Sequence, residues 1–214
     1  MAMLSPSILG CDYLDLGKDL KTLEMCGTDM LHLDVMDGIF VPNISFGLPV
    51  IDSISHHTSL ALDIHLMIDK PHRYIKEFAK YADTLGIHYE AGSDVTETLK
   101  AIKSLGVKTC LTIKPATDAE EIFEFLPLCD MVLVMSVEPG FGGQGFIRTA
   151  LDKLKALKAE IKSRNLSTIL EVDGGVNDVT GAECVEAGAD VLVVGSFLFK
   201  GDDLEEKVRF FKDL

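Results

Sequence analysis

Apolar positions along the chain fall into two alternating rhythms. Short β-rich runs stand at MLSPSIL (3–9), MLHLDVM (30–36), LALDIHLMI (60–68), TLGIHYE (84–90), KTCLTI (108–113), MVLVMSV (131–137), TILEVD (168–173) and VLVVG (191–195). Runs of this length and content suit strands covered on both faces. Between them apolar residues recur at helical spacing: Leu14, Leu16, Leu20 and Leu23; Leu99, Ile102 and Leu105; Leu151, Leu154, Leu157 and Ile161. Asp94, Asp118 and Asp178 precede such patterns as N-caps, and PHRYIKEFAKYA opens on Pro71, acceptable in a first helical turn. Eight strand–helix units with no linker or composition break predict one closed (β/α)8 TIM barrel over residues 1–214, a single domain. An open doubly wound sheet would need a glycine-rich dinucleotide turn after the first strand, and GCDYLDLG lacks that spacing.

The second run departs from the pattern of dry strands. HLDVMDG (32–38) carries a histidine and two aspartates. Side chains alternate, so His32, Asp34 and Met36 share the face opposite Leu33, Val35 and Asp37. Leu33 and Val35 suit the helix-facing side, which turns His32 and Asp34 into the barrel mouth, where barrels keep their chemistry. By the same alternation Asp63, His65 and Met67 share one face of the third strand, and Ile169, Glu171 and Asp173 one face of the seventh. The mouth thus gathers His32, Asp34, His65 and Asp173, with Asp63 and Glu171 one layer deeper.

Burying such groups costs several kcal/mol unless something compensates them. Two imidazoles and two carboxylates form a set for one divalent metal ion: zinc, iron(II), manganese or cobalt. Asp63 and Glu171 would then orient the ligand histidines. The competing reading is a salt-bridged histidine cluster without metal. Asp37, before Gly38, is expected to cap a turn. His88, beside Glu90, reads as a satisfied structural histidine, and His56, His57 and His72 as surface or local helix residues. Met36, Met67 and Met135 end inward strands, filling core or roofing a ligand.

Glycine clusters end the late strands in VEPGFGGQGF (137–146), DGGV (173–176) and VVGSF (193–197). Glycine lets backbone N–H groups approach an anion, and loops after the last two strands of a barrel commonly bind phosphate. A metal beside two carboxylates, with a phosphate grip at a distance, suits a phosphorylated sugar. Two acids on opposite faces of a carbon next to a carbonyl would remove a proton from one side and return it on the other, which is epimerisation.

Bulk properties narrow the partners. The 214 residues are 47% hydrophobic and 25% charged, the make-up of a globular protein, and a net charge of −14 argues against nucleic acid and anionic membranes as partners. Five widely spaced cysteines without a Cys-x-x-Cys pair predict free thiols. MAMLSPSILG lacks the basic stretch and apolar run of a signal peptide, and a cytoplasmic protein is the expectation.

Taken together, PSIL (6–9), HLDVMDGIFVPNISFG (32–47), DIHLM (63–67), HYEA (88–91), IKP (113–115), MSVEPGFGGQGF (135–146), EVDGGV (171–176) and VGS (194–196) resemble the ribulose-phosphate 3-epimerase family over nearly the whole chain. The resemblance implies a ribulose-phosphate-binding type of TIM barrel, a homo-oligomer (dimer or hexamer). It implies a reaction interconverting D-ribulose 5-phosphate and D-xylulose 5-phosphate through an ene-diolate. His32, Asp34, His65 and Asp173 would bind the metal, with Asp34 and Asp173 as acid/base pair. Ser7 and His65 would contact substrate, Met36, Met67 and Met135 would cap the ene-diolate, and Gly142, Gly143, Gly174, Gly175, Gly195 and Ser196 would hold the phosphate. VGSFLF differs from many relatives, which have small residues after Gly-Ser, so Phe197 bears on the choice of sugar. The alternative substrate is D-allulose 6-phosphate. A sugar-phosphate decarboxylase would need Asp-x-Lys-x-x-Asp on the third strand, where Asp63-Ile64-His65-Leu66-Met67-Ile68 has histidine for lysine and no final acid. A phosphosugar-binding barrel without turnover would have no use for the two carboxylates.

Overall fold

The computed structural model describes residues 2–201 and 203–214. Its eight strands are β1 Met3–Pro6, β2 Met30–Met36, β3 Ala61–Met67, β4 Thr84–His88, β5 Lys108–Ile113, β6 Met131–Met135, β7 Ile169–Asp173 and β8 Val191–Val194. Parallel ladders join them in the order β1-β8-β7-β6-β5-β4-β3-β2. The ring is completed between β1 and β2 by one bridge, Ser7 to His32, instead of a ladder. This is the (β/α)8 barrel that the alternation predicts. Leu33, Val35, Ile64 and Leu66 turn outward into the large core shared with the helices, as period-2 alternation requires.

The helices around the ring are α1 Leu16–Met25, α2 Leu48–Ser55, α3 Ile75–Phe78, α4 Val95–Ser104, α5 Thr149–Ser163, α6 Asp178–Ala187, α7 Ser196–Phe199 and α8 Leu204–Lys212. Between β5 and β6 the helical segment Ala119–Leu128 is a 3₁₀ helix with Pro127 inside it. Asp94 caps α4 by accepting the Glu97 N–H at 2.9 Å, and Asp118 makes a capping box with Glu121.

Several boundaries differ from the pattern. Leu14 is 94% exposed and lies before α1. Its N–H instead closes an Asx turn on Asp12 at 3.0 Å. Leu105 also falls outside its helix, as the C-cap of α4. The cap of α6 is Asn177, not Asp178: its Oδ1 accepts the Val179 and Thr180 N–H groups at 2.9 and 3.0 Å. From Pro71 the chain makes a 3₁₀ turn and then the four-residue α3, not one continuous helix. The first strand stops at Pro6 because the Ser7 hydroxyl accepts the Leu9 N–H at 3.3 Å and caps a 3₁₀ turn over Ile8–Gly10.

A fourfold brace holds the opposite, N-terminal end of the barrel. Asp29, Asp83, Asp130 and Asp190 stand immediately before β2, β4, β6 and β8. Their carboxylates accept the backbone N–H of Leu4, Leu62, Thr109 and Leu170 on the preceding strand at 2.8, 2.8, 2.9 and 2.9 Å. Their own N–H groups donate to the carbonyls of those same four residues at 3.2, 2.9, 3.0 and 2.7 Å. The β1–β2 seam is therefore clasped at its base by Leu4–Asp29 and at its mouth by Ser7–His32.

Candidate active site

The site begins with complementary tripeptides on neighbouring strands. β2 reads His32-Leu33-Asp34 and β3 reads Asp63-Ile64-His65, and the parallel register pairs His32 with Asp63 and Asp34 with His65. Each histidine thus sits beside an aspartate on the inward face. The His32 Nδ1 and Asp63 Oδ2 are 2.6 Å apart. A carboxylate only accepts, so Nδ1 carries a proton, and Nε2 is the nitrogen left to bind a cation. That Nε2, the His65 Nδ1 and the Asp34 Oδ1 form a triangle with edges of 3.3, 3.2 and 3.3 Å. The other Asp34 oxygen, Oδ2, accepts the Ser7 hydroxyl at 2.7 Å. Asp173, across the barrel on β7, brings a carboxylate oxygen to within 4.8 Å of these atoms.

The triangle passes a direct test for a cation. Ligand atoms held tetrahedrally at about 2.0–2.1 Å from a zinc-like ion lie about 3.3–3.4 Å apart. Two imidazole nitrogens and a carboxylate oxygen converging at that spacing, with His32 and Asp34 buried, need positive charge between them. Without a cation, protons supply it. Burial opposes a charge on His32, yet Asp34 and Asp63 outweigh it and lift the imidazole well above its usual range. Burial likewise pushes Asp34 up, but His32 and His65 hold it well below the ordinary carboxylate value. Asp173, withdrawn from solvent and facing Asp34, is pushed up to about 7.

The deeper carboxylates divide unequally. Asp63 orients His32. Glu171 does not orient a histidine: its Oε1 is 3.9 Å from His32 Nδ1, beyond hydrogen-bond reach. Burial and the neighbouring Asp63 raise Glu171 well above its ordinary value. His88 is buried and satisfied, as expected for a structural histidine, and one of its partners is a member of the cluster: its Nε2 meets His65 Nε2 at 2.8 Å and its Nδ1 meets Glu90 at 3.2 Å. Asp37 caps the loop after β2, accepting the N–H groups of Ile39, Phe40 and Asp69, each at 2.8 Å. His56 and His57 are exposed and bond carbonyls one turn back, and His72 bonds Ser93.

Above this cluster opens a cavity of about 200 Å³. Ser7, Asp34 and Asp173 line it, as do Met36, Met67 and Met135. So do Gly142, Gly143, Gly174, Gly175, Gly195 and Ser196. His32 and His65 lie behind it and are not on its wall, so His65 reaches the cavity only through Asp34. The glycine loops pack backbone to backbone. A Cβ on Gly174 (φ +117°) would lie 2.9 Å from the Val137 nitrogen, and one on Gly175 (φ +65°) 2.7 Å from the Phe146 nitrogen. Phe197 also lines the cavity, with its ring edge-on to Phe211 at 6.0 Å.

Sequence reasoning left out the groups that hold the loops over the mouth. Asn43 donates to the Gly140 carbonyl at 2.7 Å, tying the loop after β2 to the loop after β6. Ser45 donates to the Asp34 carbonyl at 2.5 Å and accepts the Met36 N–H at 3.0 Å. Gln144, on the cavity wall, donates to the Glu138 and Phe141 carbonyls at 2.6 and 2.8 Å. The signal for Asn43 and Ser45 was their place in VPNISFG directly after the acidic strand end.

Comparison with known proteins follows the same lines. Residues 3–199 match the sequence model of the Ribulose-phosphate 3 epimerase family. The ribulose-phosphate 3-epimerase of Aquifex aeolicus is 43% identical over 216 residues, covering 100% of this chain and 97% of its own. That of Bacillus subtilis is 42% identical over 210 residues, covering 97% of each, and that of Chlamydia pneumoniae is 42% identical over 215 residues, covering 98% of this chain and 94% of its own. Among solved structures, a mutant tryptophan synthase α-subunit from Pyrococcus furiosus superposes with a TM-score of 0.70 at 18% identity, covering 99% of this chain and 98% of that one, a likeness of fold.

Proposed function

Because this chain belongs to the ribulose-phosphate 3-epimerase family, we propose that it inverts C3 of D-ribulose 5-phosphate to give D-xylulose 5-phosphate, and the reverse. The observation that carries this reading is the convergence of two carboxylates, Asp34 and Asp173, on one cavity that three methionines and the glycine loops after β6, β7 and β8 also line. His32, Asp34, His65 and Asp173 would hold one divalent ion, with zinc, iron(II), manganese and cobalt all suited to the donors. When bound, that ion supplies Lewis-acid stabilisation to the negative charge of an ene-diolate.

The chain's own residues do the rest. One aspartate takes the C3 proton from one face of the sugar, and the other returns a proton to the opposite face. The Ser7 hydroxyl, bonded to Asp34 Oδ2 at 2.7 Å, holds that carboxylate in one orientation. Met36, Met67 and Met135 cover the reacting carbons with polarisable surface that excludes water. Gly142, Gly143, Gly174, Gly175, Gly195 and Ser196, which line the cavity, would offer backbone N–H groups to the phosphate. A single domain over residues 1–214 belongs to the same reading and is supported by the continuous strand order. So does homo-oligomerisation, supported by the exposed Leu14, Ile39 and Ile44. A cytoplasmic location is supported by five free cysteines. Among the described residues no helix is long and apolar enough to cross a membrane.

The test is a coupled assay on D-ribulose 5-phosphate and D-allulose 6-phosphate with metal-loaded wild type and Asp173→Asn. Pentulose turnover that the substitution abolishes supports the reading. Preference for the hexulose moves the substrate and keeps the mechanism. Turnover of neither, with metal measured in the site, refutes it.

A further inference from the structure

His65 has two ring nitrogens with different tasks. Its Nδ1 faces Asp34 and His32 at 3.2 and 3.3 Å, and its Nε2 faces His88 Nε2 at 2.8 Å. Two imidazole nitrogens at that distance share one proton, so one donates and the other accepts. The choice is made at the far end. His88 Nδ1 meets Glu90 Oε2 at 3.2 Å, and a carboxylate has no hydrogen to give. The proton of His88 therefore sits on Nδ1, its Nε2 is bare, and His65 must donate from its own Nε2. That leaves His65 Nδ1 bare for a cation held between it, Asp34 and His32; with no cation there, Asp34 Oδ1 at 3.2 Å competes for a proton on that same nitrogen.

Glu90 is itself tied down. Its Oε1 accepts the Lys114 N–H at 2.9 Å and the Thr117 hydroxyl. The loop carrying both is held by buried Lys153 on α5, whose Nζ donates to the carbonyls of Lys114, Pro115 and Thr117 at 3.1, 2.6 and 2.5 Å. The His88 ring is stacked on His65 with centroids 4.9 Å apart and packed by Phe40 at 4.7 Å.

We propose that His88 and Glu90 are positioning residues for the metal centre: Glu90, acting through His88, fixes His65 in the tautomer whose Nδ1 lone pair faces the cation. Asp63 does the same for His32 directly, so each ligand histidine is oriented by a carboxylate, one at first hand and one through a second imidazole. The proposal rests on the metal-dependent epimerase reading of this site.

The two residues fail in different ways when replaced. His88→Phe removes the acceptor for His65 and keeps the ring that packs on Phe40. Glu90→Gln reverses the chain. The Lys114 N–H keeps the amide oxygen at the Oε1 position, so the amide NH₂ faces His88. His88 must then carry its proton on Nε2, and His65 must carry its proton on Nδ1, the atom meant for the cation.

Two readouts besides turnover test this. The first is the ¹⁵N shifts of the His65 and His88 rings at a zinc concentration that saturates wild type: wild type should show His65 protonated on Nε2 and His88 on Nδ1, and Glu90→Gln should exchange the protonated and bare nitrogens on both rings. The second is cobalt(II) affinity by chelator competition, where each substitution should weaken binding roughly 10- to 100-fold. The double variant should bind no more weakly than His88→Phe, because Glu90 acts through that ring. Unchanged tautomers in Glu90→Gln, affinities within twofold of wild type, or additive losses in the double variant would each overturn the proposal. Wild-type protein that binds no cobalt(II) would instead refute the metal reading on which it stands.

Discussion

Replacing Asp130 by alanine should destabilise the barrel by about 2 kcal/mol while leaving its chemistry alone. Thr109, at the base of β5, is fully buried, and its N–H donates to Asp130 Oδ2 at 2.9 Å. Removing the carboxylate orphans that N–H, which costs about 1–3 kcal/mol for a buried donor. The Thr109 hydroxyl loses less, because it also reaches the Leu128 carbonyl at 2.7 Å. The reciprocal bond from the Asp130 N–H to the Thr109 carbonyl at 3.0 Å is backbone and survives. For a chain of this length 2 kcal/mol corresponds to about 4–8 °C in Tm. Asp130→Asn keeps a carbonyl acceptor and should lose less than about 1 kcal/mol. Urea unfolding followed by circular dichroism, with an unchanged m-value, measures the difference, and kcat/KM should stay at the wild-type value. If Asp130→Ala falls within about 0.5 kcal/mol of wild type, or turnover drops with stability intact, the brace is not what the geometry implies.

Further expectations concern the loops, the surface and pH. Gly174→Ala places a Cβ 2.9 Å from the Val137 nitrogen at a φ of +117°, so the loop after β7 must move; KM for the phosphosugar should rise at least tenfold, and an unchanged KM would exclude the close-approach role. Leu14→Ser should alter the melting free energy by less than about 0.5 kcal/mol, since the side chain is 94% exposed despite its helical spacing. Burial pushes Glu90 up, but His88, Thr117 and the Lys114 N–H prevail and hold it down at about 2. A carboxylate depressed in the folded state stabilises above its unfolded pKa and loses that contribution as pH falls through the folded one. The stability gap between wild type and Glu90→Gln should therefore shrink from pH 5 toward pH 2, and a gap independent of pH would show that the charge plays no part.

The legible parts of the molecule are those set by local periodicity. Alternation along HLDVM and DIHLM was enough to put His32, Asp34 and His65 on one face, because the strand period is 2 wherever the strand goes. Leu14 misled because three later leucines share its spacing, whereas an Asx turn on Asp12 decides where α1 begins. The bracing aspartates are visible as an Asp before every even strand, but their partners lie 20 to 25 residues away, so their purpose appears only once the strands are paired. The contact between His88 and His65 was hidden for a related reason. The ladder pairs His65 with Gly86, yet the His65 ring meets the ring two residues further along β4. The strand pattern says which side His88 faces, while barrel tilt and shear decide which ring it touches.

One device, a carboxylate accepting an N–H, serves both ends of this barrel, and the identity of the donor decides what it achieves. At the base the donor is a backbone amide such as Thr109 N–H, whose proton has nowhere else to go; the acceptor fixes only position, and an amide oxygen can stand in for the carboxylate. At the mouth the donor is an imidazole, His32 for Asp63 and His88 for Glu90, whose proton can sit on either nitrogen. There the acceptor fixes which nitrogen is bare, and an amide turned to present its NH₂ reverses the choice. The same acid-to-amide change should thus be nearly silent in Asp130→Asn and disruptive to cation binding in Glu90→Gln. Equal effects on stability, with cation binding intact in both, would mean that the mouth is braced in the same way as the base and that no tautomer is being selected.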